Sequence, residues 1–446
     1  HLGAEFDLDD NFSLDTQKIP GTNGSDRLQA GIAAFQFTTW ANLGNPNTGN
    51  PFVFRDNQYT LATNFSYLRS AHSFRFGLDY QNQQINHFQP QGGTFQTVRG
   101  TFVFNGNATA LQNGTPANLF NSWAAFLLGL PSRAGKVDQL RNPNSVYMTS
   151  YALYARDHWQ ANRNLTLTYG LRWEIYPFPT KDNTGINRFD PDTGKVYTGG
   201  LSGVPQDTGA SSGKGKFLPR VGVAYKWGDK MVIRGGYGQS SDPRPFIDFR
   251  NAYPVVNAWE MTAPSNAFIP VTTLRQGLIN SSVAPDLNAG VLNLPSNSGT
   301  TTYPKTAMRN VIHSFNLIVE RELPWKFKGS IGYVGTRAHG QMGFININAS
   351  APGTGNAGRP LNVKFGLASD ITEILPYGDT SYDSLQSTLQ RRWAGSIFGM
   401  AYTWSKAINY ADNDGGPRIQ YMPEKERNKG LAGYDRTHNL QFYGVY

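Results

Sequence analysis

The chain has 446 residues and no cysteine, with 40 Lys and Arg against 31 Asp and Glu for a formal charge of +9. Charged residues make up only 16% and hydrophobic residues 39%, yet aromatics reach 13%, whereas roughly 25% of an ordinary soluble domain is charged. Lack of cysteine excludes disulfide frameworks, thiolate metal clusters and thiol nucleophiles. The aromatic content argues against disorder, and the scatter of basic residues argues against a nucleic-acid surface.

The longest apolar stretch, Trp123 to Leu130, is less than half the ~20 residues of a helical membrane span. The dominant pattern is instead period-two alternation in runs of about ten residues, the length of a tilted membrane-crossing strand. Near the start Leu2, Ala4, Phe6 and Leu8 alternate, and residues 1–57 and 94–105 are expected to hold a few strands, Phe102 and Phe104 among them. From Ser73 to Gln81, Phe74, Phe76, Leu78 and Tyr80 share one face, opposite Arg75, Gly77 and Asp79. Leu165, Leu167, Tyr169, Leu171 and Trp173 oppose Thr166, Thr168, Gly170, Arg172 and Glu174. The same alternation sets Val221, Val223, Tyr225 and Trp227 against Gly222, Ala224 and Lys226. Phe327, Ile331 and Tyr333 oppose Lys328, Ser330 and Gly332, and Phe398, Met400, Tyr402 and Trp404 oppose Gly399, Ala401, Thr403 and Ser405. One face is aromatic and aliphatic, the other small, hydroxylated or charged. On the second face Arg75, Asp79, Arg172, Glu174, Lys226 and Arg234 are candidates for lining a lumen.

Soluble sandwiches alternate too, so the connections decide. Short turns are expected at Arg69 to His72, Gln160 to Arg163, Gly228 to Lys230, Arg321 to Trp325 and Trp393 to Gly395. Between these hairpins lie long segments rich in Gly, Pro, Asn and Ser, at 177–216, 240–305, 338–380 and 407–434. Alternating short and long connections match the periplasmic turns and extracellular loops of outer-membrane barrels. Trp159, Trp173, Tyr176, Trp227, Trp325, Trp393 and Trp404 stand near turns or loop starts, as expected of aromatic girdles at the two membrane interfaces. The fold class read here is all-β, an antiparallel transmembrane β-barrel of roughly 10–14 strands in the outer membrane. The final run, Asp435 to Tyr446, has no returning strand after it. An open edge in lipid is costly, so residues 1–446 are expected to form part of a larger barrel.

No chemistry of catalysis is legible. The seven histidines, at 1, 72, 87, 158, 313, 339 and 438, lack metal-binding spacing. The segment Gly353 to Gly358 matches GxGxxG in form, but Pro352 before it and Arg359-Pro360 after it make it a loop tip. Lys214-Gly215-Lys216 lacks P-loop spacing, and the Asp190–Gly194 and Asp412–Gly415 clusters are turn formers before they are calcium loops. No enzyme activity, metal or cofactor is expected.

Several segments together resemble one family. Tyr151-Ala-Leu-Tyr-Ala-Arg-Asp-His-Trp159 followed by Asn164-Leu-Thr-Leu-Thr-Tyr-Gly-Leu-Arg-Trp-Glu174 resembles a strand–turn–strand signature of TonB-dependent receptors. Ala71-His-Ser-Phe-Arg-Phe-Gly77, Ala125-Phe-Leu-Leu-Gly129, Leu218-Pro-Arg-Val-Gly222 and Val232-Ile-Arg-Gly-Gly-Tyr-Gly238 resemble the Oar-like receptors of acidobacteria. So do Gly332-Tyr-Val-Gly-Thr-Arg337, Tyr402-Thr-Trp-Ser-Lys406 and Tyr434-Asp-Arg-Thr-His438, in the same order. The resemblance implies a barrel of roughly twenty-two strands closed around a plug, taking up a bulky ligand with energy from the TonB system. This sequence shows no plug, no TonB-contacting segment and no regulatory-like N-terminal domain, so those partners are expected of a longer parent protein. The partners expected here are outer-membrane lipid, the TonB system through the parent, and an unidentified ligand. The alternatives are a passive porin-like or structural barrel, a fragment that self-associates through exposed strand edges, and a soluble β-rich adhesin.

Overall fold

The computed structural model describes residues 19–22, 31–45, 49–90, 97–111, 119–181, 184–243, 252–263, 268–279, 284–306, 309–412 and 418–445. Its main wall is an antiparallel succession of eleven strands. They are β1 (Val53–Arg69), β2 (His72–Phe88), β3 (Asn144–Gln160), β4 (Leu165–Ile175), β5 (Lys216–Trp227) and β6 (Met231–Ser240), then β7 (Val311–Leu323), β8 (Phe327–Asn346), β9 (Ile371–Trp393), β10 (Ser396–Asn409) and β11 (His438–Val445). Each pairs with the next in sequence order. Among the described residues β1 and β11 do not pair with each other, so the sheet is open.

All five short turns lie at one end of the wall. Tight two-residue hairpins need backbone twist of the left-handed kind. Ala394 and Gly395 supply it between Trp393 and Ser396, with φ of 47° and 88°, and Trp325 and Lys326 take the same conformation, at 59° and 61°, in the three-residue turn between Leu323 and Phe327. The strands run longer than the alternation alone suggests. β8 and β9 extend well into the segment 338–380 expected to be a loop, leaving only 347–370 between them. The extension bends at a bulge around Gly340, whose φ is 72°. Alternation fails to show this because the outward residues there are no longer apolar.

At the other end the long connections fold into a cap with its own core. Ala34–Phe37 lies parallel to Thr101–Phe104, and the latter pairs with Arg133–Gln139. That strand pairs with Val256–Thr262, which reaches β9 through Ser298–Thr302. Phe102 and Phe104 thus belong to the cap rather than the wall, while Leu2 to Leu8 lie outside the described residues. The apolar Trp123 to Leu130 stretch holds helix α1 (Phe120–Leu127). Two turns of isolated helix are unstable; this one is held by Phe126, whose ring lies 5.5 Å from Phe35 and 5.3 Å from both Phe37 and Phe104. A second cluster joins Phe189, Val196 and Leu294 to Leu361 of helix α2 (Pro360–Phe365) and to Ile371 of β9. The GxGxxG segment is an exposed turn before α2.

The wall itself has no such core. Register carries the apolar parity of β2 across every strand: Leu78 faces Leu153, Leu153 faces Trp173, and Trp173 faces Phe217. Leu317, Tyr333, Leu385 and Trp404 continue the same face. Phe65 is 59% exposed, Val221 55% and Phe442 63%. A continuous apolar band of this extent is stable only against hydrocarbon. It ends toward the cap in a row of aromatics, Tyr80, Tyr151, Trp173, Tyr237, Tyr333 and Trp404, beyond which Asn82, Thr149 and Asp383 take the outward positions. Trp173 stands eight residues above Leu165, about 27 Å along the strand at ~3.4 Å per residue, in keeping with the ~25 Å apolar band of a tilted membrane wall.

Two outcomes are expected. Val223→Arg, on the apolar face, destabilises the wall by about 2–4 kcal/mol, and Ala224→Arg, one residue on, by less than about 1 kcal/mol; urea unfolding of the protein in phospholipid vesicles separates them, and equal costs would contradict the facing. In the cap, Lys181 is buried with no hydrogen-bond partner for its ammonium among the described residues. Burial, helped by the nearby Arg141 charge, pulls its pKa down to about 7. The folded chain therefore releases this proton near pH 7 while the unfolded chain holds it to about 10.4. Cap stability rises as pH increases through that window, so limited proteolysis of the cap slows between pH 7 and 9, and Lys181→Met removes the dependence.

Candidate functional site

The face opposite the apolar band carries the charged residues that the alternation singled out. Register places Arg75, Asp79, Arg172, Glu174, Lys226 and Arg234 all on this polar face. They do not form one cluster. Lys226 lies at the short-turn end, exposed, 3.6 Å from Asp229. Arg234 on β6 pairs with Glu320 on β7 at 3.4 Å.

The other four lie on β2 and β4, and three of them are linked. The Arg172 guanidinium donates to Asp79 at 2.7 Å and to Glu174 at 3.0 Å. Glu174 is buried at the cap end of β4 and accepts from Arg309 at 2.6 Å. Arg309, from the connection before β7, also donates to the carbonyls of Asp242 at 2.7 Å and Ser241 at 2.9 Å. Its guanidinium stacks 3.8 Å above the ring of Tyr176. Tyr176 thus sits in this polar cluster, whereas Trp173 stands on the apolar face. Trp159 stacks on His72 at 5.4 Å, while Trp227, Trp325, Trp393 and Trp404 are exposed. Trp159, Trp227, Trp325 and Trp393 are grouped at the short-turn end, and Trp173 and Trp404 toward the cap.

Sequence reasoning missed Arg309, Arg156 and Arg220. Arg309 sits in irregular backbone where no periodicity exists. Arg156 and Arg220 do follow the alternation, at the same parity as Tyr154 and Gly222. Arg75 stands directly opposite Arg156. The carboxylates expected in turns are likewise used internally. Asp190 pairs with Arg188 at 3.0 Å and Lys305 at 3.5 Å, and Asp412 accepts the Gly433 amide at 2.9 Å. Among the described residues no group of three or more His, Asp or Glu is placed to hold a metal ion. The arrangement offers positioned guanidinium donors and buried ion pairs, which suit recognition of anionic groups.

Removing one partner of a buried ion pair strands the other charge. Arg309→Leu leaves Glu174 held by Arg172 alone and is expected to destabilise the cap-to-wall junction by roughly 3–5 kcal/mol, read as earlier chemical unfolding. Replacing Glu174 and Arg309 together by Leu is expected to cost less than the single change, and a larger loss in the double variant would refute the pairing.

Among solved structures the chain is similar to the outer membrane transporter YddB from Escherichia coli, at 11% identity and a TM-score of 0.47 over 93% of this chain and 44% of that one. It is similar to the ferripyoverdine receptor of the outer membrane of Pseudomonas aeruginosa, at 10% identity and a TM-score of 0.41 over 91% and 38%. It is also similar to the FrpB iron transporter from Neisseria meningitidis, at 12% identity and a TM-score of 0.38 over 81% and 38%. The chain spans less than half the length of each. No match was found among curated proteins. The model of the outer membrane beta barrel domain matches residues 2–446, and with the exposed apolar band this makes the chain a member of that family, seated in the bacterial outer membrane.

Proposed function

We propose that this barrel serves as the wall and loop cap of a receptor that imports a bulky ligand, energised through TonB by a longer parent protein. The observation that carries this reading is the asymmetry of the wall. Tight turns close one end, while the other bears a cap with a buried aromatic core and a charged, hydrogen-bonded junction. A ligand-capturing surface needs loops held in place; a passive pore needs only loops that leave the lumen open. The motif resemblance to Oar-like TonB-dependent receptors supports the energised form.

A planar bilayer holding the native protein tests it. The receptor reading expects no steady conductance and expects cross-linking of the native protein to TonB. A stable open conductance without cross-links would establish the passive pore instead. A second reading is favoured by the edges of β1 and β11, which are unpaired among the described residues. Such edges template pairing with further strands, whether of the same parent or of a second copy. The mass of the detergent-extracted native particle separates these: one parent chain per particle excludes pairing between copies.

A further inference from the structure

Four arginines border one concavity on the polar face. Arg75 of β2 stands opposite Arg156 of β3, Arg156 opposite Gly170 of β4, and Gly170 opposite Arg220 of β5. The glycine leaves no side chain between Arg156 and Arg220, whose strands lie two ladder spacings, about 10 Å, apart. Arg172, two residues along β4, closes another side. With Tyr154 and Thr168 these arginines line a cavity of about 470 Å³.

The charge there is not balanced from within. Arg172 is engaged by Asp79 and Glu174. Among the described residues, Arg75, Arg156 and Arg220 lie within ion-pair distance of no carboxylate, and no side chain hydrogen-bonds to them. Like charges placed directly opposite on paired strands repel, so facing Arg75 with Arg156 works against the sheet unless an anion is shared between them. The row is also short of bulk: a Cβ on Gly170 would meet the Arg156 side chain at 3.1 Å, and one on Gly238 would meet Arg220 at 3.4 Å. Small residues beside the arginines keep the forks free to converge.

We propose that this concavity binds a small solute carrying two or more carboxylate or phosphate groups, held by the Arg75, Arg156 and Arg220 guanidiniums. Planar guanidinium forks match both oxyanions through paired N–H donors, which lysine does not. The spacing of Arg156 and Arg220 favours a solute with two separated anionic groups over a single ion. Binding at this site is independent of whether uptake is energised.

The test is calorimetric titration of the detergent-extracted native protein, at low ionic strength, with citrate and with pyrophosphate. One equivalent of at least one probe is expected to bind. Arg156→Gln with Arg220→Gln is expected to weaken it tenfold or more, and Arg234→Gln, outside the cavity on the same face, to leave it within about twofold. Tighter citrate identifies a carboxylate ligand, and tighter pyrophosphate a phosphate ligand. Arg156→Lys with Arg220→Lys keeps the charge and removes the forks; it is expected to bind at least several-fold more weakly than the native protein, and it carries the test if the glutamine variant does not fold. Absence of binding by both probes overturns the proposal, as does an equal loss in Arg234→Gln or native affinity in the lysine variant.

Discussion

Within hydrocarbon a backbone N–H or C=O has no water to bond, so every strand of a membrane wall must satisfy its neighbours. The pairing must then hold its register, because a slip by one residue turns every side chain to the opposite face. Here that constraint extends through ten successive ladders, from β1 to β11. The parity of Phe74 and Phe76 on β2 is inherited by Leu171 on β4, Val221 on β5, Leu317 on β7 and Trp404 on β10. The five short turns set this register at one end, and in four of them a residue at positive φ gives the hairpin the twist its strands require.

The molecule is therefore stabilised in two different ways. In the wall, no side chain of the apolar band packs into a protein core, and the apolar face is satisfied by lipid while the backbone ladder supplies the connectivity. In the cap the usual rule of soluble domains returns. Phe35, Phe37, Phe102, Phe104 and Trp259 are buried around α1, and Val146 at the top of β3 joins Ile186 and Tyr303. The cap is anchored to the wall where apolar burial takes over from lipid, at the level of the outward aromatic row.

Five hairpins and their turns were legible because alternation and turn chemistry are local. The cap was not. Phe102 and Phe104 alternate like a wall strand, yet they pair with Ala34–Phe37 more than sixty residues away, and nothing in a period-two pattern distinguishes a lipid neighbour from a protein one. The upper halves of β8 and β9 were hidden for the opposite reason: above the membrane outward positions are taken by residues such as His339 and Asp379, which read as loop. The lumen candidates were legible in facing but not in partnership. Asp79 and Arg172 are ninety-three residues apart, and only the β2–β3–β4 order brings them within 2.7 Å.

The charges of the polar face fall into two kinds, and the difference is one of solvation. At the junction, Glu174 and Arg309 are both removed from water and persist because each completes the other, with the Ser241 and Asp242 carbonyls and the Tyr176 ring meeting the remaining guanidinium surface. Such a pair contributes little net stability over apolar residues of equal size, but it fixes where the connection before β7 meets β4. Lower on the wall, on β2, β3 and β5, Arg75, Arg156 and Arg220 remain exposed and exert their field on whatever occupies the concavity. Arg172 links the two groups, since its carboxylate partners hold it between the locked junction and the solvated row. Arg172 is therefore a side chain that the junction, through Glu174, and the wall of the cavity share.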